Sequence, residues 1–142
     1  MVVVSVRLLD EVLSSSRLLK RVYAYLESDP EVQALWFMSN TMAVSRLRYN
    51  NHGPVHAKIA TGVALYLYKL LRSSGVESTL LRDGVVSSEE YAWLVPLIGS
   101  LLHDIGNSVH RDLHEKIGAL LAKPIIDKVL EKVIPGAYER GS

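Results

Sequence analysis

The chain has no cysteine and a single phenylalanine in 142 residues. The first absence removes disulfides, thiolate metal ligands and cysteine nucleophiles together, and it fits an intracellular, cytoplasmic protein. Long apolar runs are also missing; none approaches the roughly eighteen uninterrupted apolar residues that a membrane span needs. The opening MVVVSVRLLDEVL begins apolar, but Arg7 and Asp10 interrupt it, and it lacks the cleavage site of a signal peptide. An excess of one charge is absent too. The formal net charge is +1, so electrostatics offers no support for a nucleic-acid or membrane partner. There is no internal repeat and no low-complexity tract. An apolar content of 49% and a charged content of 22% suit a soluble globular chain. A chain of this length buries about 70% of its unfolded surface, and a single domain over residues 1–142 is expected.

What is present is helical periodicity, and the expected fold class is all-α, a compact bundle of five to six helices. Leu8, Leu9, Val12, Leu18, Leu19, Val22 and Leu26 recur at helical spacing from about Arg7 to Glu27. Asp29 is a good N-cap and Pro30 a good first residue for a second helix, which carries Val32, Leu35, Trp36, Ser39, Met42, Ala43 and Leu47 toward Arg48. The loop from Tyr49 to Pro54 breaks it. Pro54 opens a third helix with a stripe of Ile59, Val63, Leu67 and Leu70 or Leu71, ended by Ser73-Ser-Gly75. Residues 76–86 show the least regularity. Ser87-Ser-Glu-Glu90 matches a capping box for a fourth helix, apolar almost all round and therefore central. Gly106-Asn-Ser108 marks a turn. A fifth helix is expected as far as Ala122 or Lys123, and a sixth from Pro124 to Val133, stopped by Pro135-Gly136.

The histidines are the chemical signal. All five fall between residues 52 and 114, three of them in SLLHDIGNSVHRDLH and two in YNNHGPVH. His103 and Asp104 close the buried fourth helix, where ionisable groups are costly unless they are paired or hold a metal. Neighbouring helical residues diverge by about 100°, yet at a helix end their side chains can still converge on one ion. Alone, an HD dipeptide is more often a cap beside a packed histidine. His110 and His114 are spaced i, i+4, so on one helix they share a face and can grip one metal. Gly118 and Ala119 follow on the same helix and let another backbone come close. His56 opens the third helix beside the small residues Ala57, Ala60 and Ala64, whereas His52 reads best as a turn residue. Clustering this tight favours a shared metal site. Imidazole and carboxylate donors without thiolate select Mn, Fe, Co, Ni or Zn.

YNNHGPVHAKIATGVAL and SLLHDIGNSVHRDLHEKIGALLA together resemble the HD superfamily of metal-dependent phosphohydrolases, most closely an archaeal-type branch of small HD proteins. The resemblance covers about residues 29 to 130. It implies that His56, His103 and Asp104 are metal ligands, with His103 and Asp104 at the catalytic centre and the aspartate able to bridge two ions. It implies that His114 is the extra histidine of two-metal members, with His110 a weaker candidate. His52 is held as an outer-shell or substrate contact. Lys58 and Arg111 lie beside these residues and are candidates to hold a substrate phosphate, with Arg48 similarly placed; each also reads as a solvated surface charge. The family supplies a further aspartate from a later helix. Asp127 is the only aspartate in that region, so the chain is expected to be shortened at its C-terminus relative to the family and to self-associate as a homo-oligomer. The implied activity is metal-dependent hydrolysis of phosphate esters or nucleotides. The rival expectations are a degenerate HD protein that binds metal or nucleotide without turnover, and a helical interaction module with structural histidines.

Overall fold

The computed structural model describes residues 1–46 and 53–134, without the side chains of residues 45 and 46. The expected end of the second helix toward Arg48, the turn at His52, and the stop at Pro135-Gly136 lie outside the described residues. The described chain is all-helical. Its α-helices are α1 (Val6–Leu13), α2 (Arg17–Ser28), α3 (Pro30–Asn40), α4 (Pro54–Ser73), the single turn α5 (Thr79–Arg82), α6 (Glu89–Leu102) and α7 (His114–Val133). A π-helical turn, Thr41–Arg46, extends α3, and a 3-10 turn, Ile105–Ser108, follows α6.

Three departures from the expected helices have local causes. The first helix is two, because Ser14, Ser15 and Ser16 turn the chain. The Ser14 hydroxyl donates to the Glu11 carbonyl at 2.6 Å, and Ser16 caps α2 by accepting the Leu19 amide at 3.2 Å. The capping box shifts by one residue. Ser88, not Ser87, accepts the Tyr91 amide, and Glu90 reaches across the fold to accept the Ser16 hydroxyl at 2.8 Å. The fifth and sixth helices are one, since α7 runs through Pro124. Pro124 and the residue four before it, Leu120, are both exposed, and on such a face water can serve the carbonyl that loses its donor, which lowers the usual cost of an interior proline.

Helix α6 is central, as its all-round apolarity requires. Leu94, Leu97, Ile98, Leu101 and Leu102 are buried, and the helix packs against α4, α2 and α7. Helix α4 turns a different face inward from the one expected. Its buried residues are Ala57, Thr61, Gly62 and Leu65, while Leu67, Leu70 and Leu71 are exposed. Close backbone approach decides this. A Cβ on Gly62 would sit 2.9 Å from the Leu9 amide nitrogen, so α1 crosses α4 directly over the glycine. Thr61 joins that face at no polar cost, because its hydroxyl donates to the Ala57 carbonyl at 2.7 Å.

Helix α3 fixes the end of α6. The indole N–H of Trp36, 1% exposed, donates to the Leu101 carbonyl at 2.8 Å, satisfying one of the acceptors that a helix C-terminus leaves open. Ser39 lies one turn on, and its hydroxyl donates to the Asp104 carbonyl at 3.1 Å.

The start of α3 is equally fixed. The Asp29 carboxylate, 5% exposed, accepts the Glu31 and Val32 amides at 2.8 and 3.2 Å, and Lys128 of α7 donates to its other oxygen at 3.1 Å. Burial pushes this carboxyl up, but the Lys128 ammonium and the two amides outweigh it and hold it below its ordinary value. A depressed folded value stabilises the protein above the unfolded pKa, and that stability is lost as pH falls through the folded one. Asp29→Asn, which keeps the capping oxygen, is therefore expected to cost about 1–2 kcal/mol at pH 7. The cost should shrink toward zero below pH 3.8, the ordinary carboxylate value, as read by urea denaturation at both pH values.

Candidate metal centre

Asp104 lies between α6 and the 3-10 turn, at φ −103° and ψ 0°, in the sparsely populated bridge region. Its side chain is 8% exposed, and a carboxylate so enclosed requires partners. Oδ1 accepts from the Asn107 amide nitrogen at 3.2 Å. Oδ2 faces two imidazoles, with His103 Nε2 at 3.0 Å and His56 Nε2 at 3.2 Å. Those two rings stand 5.4 Å apart between centroids and are tilted by 50°. His56 comes from the first turn of α4, which Pro54 opens after Gly53. His103 sits just past the last residue of α6.

The hydrogen bond behind the His103 ring sets its chemistry. His103 Nδ1 lies 2.7 Å from the Ser100 carbonyl, which can only accept, so Nδ1 carries the proton. In the neutral ring, the Nε2 lone pair then meets a carboxylate oxygen at 3.0 Å. Two acceptors at that distance are stable only with a second ring proton or with a cation nearby. The Asp104 hydrogen bond raises His103 above its ordinary value, opposed by burial and helped by the Ser100 carbonyl.

The donor set also suits a metal. Ligand bonds of about 2.0–2.2 Å place neighbouring donors about 3.0–3.4 Å apart in octahedral or tetrahedral geometry, and the two imidazole–carboxylate distances fall within that span. One ligand atom each from His56, His103 and Asp104 lies within 4.8 Å of the others, so the group could hold a metal ion. Three protein ligands would leave coordination positions open on such an ion.

His114 stands at the other edge of Asp104. Its Nδ1 lies 3.0 Å from the Arg111 carbonyl, and its Nε2 is 3.8 Å from Asp104 Oδ1 and 3.5 Å from the Arg111 guanidinium. The carboxylate thus has a pair of imidazoles at one oxygen and a third near the other. Glycine contact positions this wall. A Cβ on Gly106 would sit 1.8 Å from the His114 carbonyl oxygen and 2.7 Å from the Gly118 amide nitrogen. The expected close approach at Gly118 is therefore present, and its partner is the turn that follows Asp104. Just before His114, exposed Leu113 adopts φ 61°, in the left-handed region that side chains other than glycine seldom enter.

The remaining expected residues are placed as follows. His110 and His114 do not share a helix, because α7 begins at His114. His110 is exposed in the preceding turn, where its Nδ1 accepts the Asp112 amide at 3.0 Å, a local bond that competes with helix formation there. Arg111 donates to the Asn107 side-chain oxygen at 3.1 Å and so borders the site. Lys58 points to Glu27 of α2 in an ion pair. Asp127 pairs with Lys123 at 3.1 Å, about 20 Å along α7 from His114. His52 lies outside the described residues. Sequence reasoning took Asn107 only as a turn former. It is 2% exposed and links Arg111 to Asp104; its position three residues after a buried aspartate, within a tight turn, was the available signal.

No family model matches the chain, and no solved structure matches it. The chain is 42% identical over 113 residues to the uncharacterized protein MJ1020 of Methanocaldococcus jannaschii, a match covering 80% of this chain and 43% of that protein. The chain thus spans less than half the length of the curated relative it matches. An all-helical chain with this His-His-Asp group is compatible with an HD-like domain.

In metal-free protein, NMR titration should place His103 above 6.5, its ordinary value, and Asp104→Asn should return it toward that value. Because metal binding displaces the ring proton, metal affinity should rise with pH across the same range. Gly106→Ala should cost about 3 kcal/mol or more by forcing α7 off the turn, measured by thermal or urea unfolding.

Proposed function

We propose that the protein is a metal-dependent hydrolase of phosphate esters or nucleotides, with one divalent transition ion held by His56, His103 and Asp104. The observation that carries this reading is the convergence of two imidazole Nε2 atoms on one oxygen of a buried carboxylate, with the His103 tautomer set by Ser100. His114, near the second oxygen of Asp104, would be the residue to hold a further ion if one bound. A divalent ion in such a site supplies Lewis acidity to a phosphoryl oxygen and lowers the pKa of water toward neutrality.

The chain's own groups do the rest. Asp104 balances cationic charge and, through Asn107, keeps its carboxylate in one orientation. Arg111, held by Asn107, offers a planar fork suited to phosphoryl oxygens. Lys58 serves this role less well because Glu27 holds it. The HD resemblance of the two histidine motifs points the same way.

Saturating Mn²⁺ at a hundred times its Kd should stabilise the protein by about 2.7 kcal/mol. It should also support release of phosphate from a phosphomonoester or nucleotide panel. His56→Ala, His103→Ala and Asp104→Ala should abolish both effects, and Asn107→Ala should lower activity or metal affinity by about 10–100-fold. Stabilisation by metal without product across the panel would reduce the protein to a binding module. A melting temperature indifferent to Mn²⁺, Fe²⁺, Co²⁺, Ni²⁺ and Zn²⁺ would end the metal reading.

A further inference from the structure

A groove of about 1080 Å³ runs between α6, α7 and the 84–87 segment, and His103 forms part of its wall. The same side chain therefore belongs to the metal cluster and to the groove. Most of the lining is hydrocarbon, with Leu94, Ile98, Leu102, Ile126, Leu130 and Ile134 among it. Its polar side chains among the described residues are Ser87, Tyr91, His103 and Glu115. Among the described residues that wall holds no lysine, arginine, asparagine or glutamine. A nucleobase placed there would lose its hydrogen bonds to water with few replacements, whereas a hydrocarbon chain would lose nothing. Glu115 also disfavours a second anionic group. The volume matches the upper range of small-molecule sites. Gly99, one helical turn before His103, leaves the floor open, since a Cβ built there meets no atom within 4 Å.

We propose that this groove receives the apolar alcohol portion of a phosphomonoester, making the substrate an alkyl or isoprenoid-like phosphate in preference to a nucleotide. The inference rests on the metal-hydrolase reading above. The phosphate meets the ion at His103, and the chain extends along α6 and α7.

Titration calorimetry of the Mn²⁺-loaded full chain with methyl-, hexyl- and decylphosphonate, and with adenosine monophosphate, tests it. Phosphonates bind without being hydrolysed. Affinity should rise by up to about fourfold per added methylene, and decylphosphonate should bind at least tenfold more tightly than the nucleotide. Gly99→Phe, which fills the floor, should weaken decylphosphonate at least tenfold while leaving Mn²⁺ and methylphosphonate affinity unchanged. Ala119→Phe, from α7, serves the same purpose if the first variant does not fold. Equal affinity across the three phosphonates, or tighter binding of the nucleotide, would overturn the inference and leave the hydrolase reading standing. Absence of any metal-dependent methylphosphonate binding would remove that reading and the inference with it. A wild-type dimer that Gly99→Phe converts to monomer would show a second copy in the groove, and would also overturn it.

Discussion

A carboxylate with 8% of its side chain exposed is the constraint this fold is arranged around, because a buried charge without partners would cost several kcal/mol. Each surrounding element contributes to compensating it. Helix α6 delivers His103 and Asp104 together, and α4 brings His56 to the same oxygen. The 3-10 turn folds Asn107 back onto the other. Helix α3 then secures the turn through two side-chain bonds to carbonyls, from Trp36 to Leu101 and from Ser39 to Asp104. The polar cluster is thus built from groups with defined partners, which is the condition under which such networks rigidify a core instead of weakening it.

Steric constraint supplies the precision that electrostatics alone lacks. Two glycine crossings, Gly62 under Leu9 and Gly106 against His114 and Gly118, set how closely the helices approach. The first keeps α4 at the depth where His56 reaches Asp104. The second brings the start of α7 up to the turn and places His114 beside Arg111 and Asp104. Both substitute backbone contact for side-chain filling. That explains why α4 buries alanine, threonine and glycine while Leu67, Leu70 and Leu71 remain exposed.

Much of this was legible in the residues themselves. Continuous apolarity marked α6 as central, Asp29-Pro30 marked the start of α3, and the clustering of histidines pointed to a shared metal site, within which the HD resemblance implied His56, His103 and Asp104. The inward face of α4 was not legible, because hydrophobic periodicity counts leucines and gives no weight to the room a glycine makes. The pairing of His110 with His114 failed for a related reason. Spacing of i, i+4 has meaning only inside a helix, and the left-handed backbone at Leu113 starts α7 too late to include His110. Asn107 looked like a turn former because asparagine usually is one; its second role depends on the burial of its neighbour. The apolar groove has no sequence signature, since it is the space left between α6 and α7.

The opening above Gly99 has a practical side. A chain without native thiols offers a background in which Gly99→Cys introduces one uniquely reactive sulfur. An environment-sensitive fluorophore attached there would sit one turn from His103. Its emission would then report occupancy of the channel in real time, in the intact protein and without a chromogenic substrate.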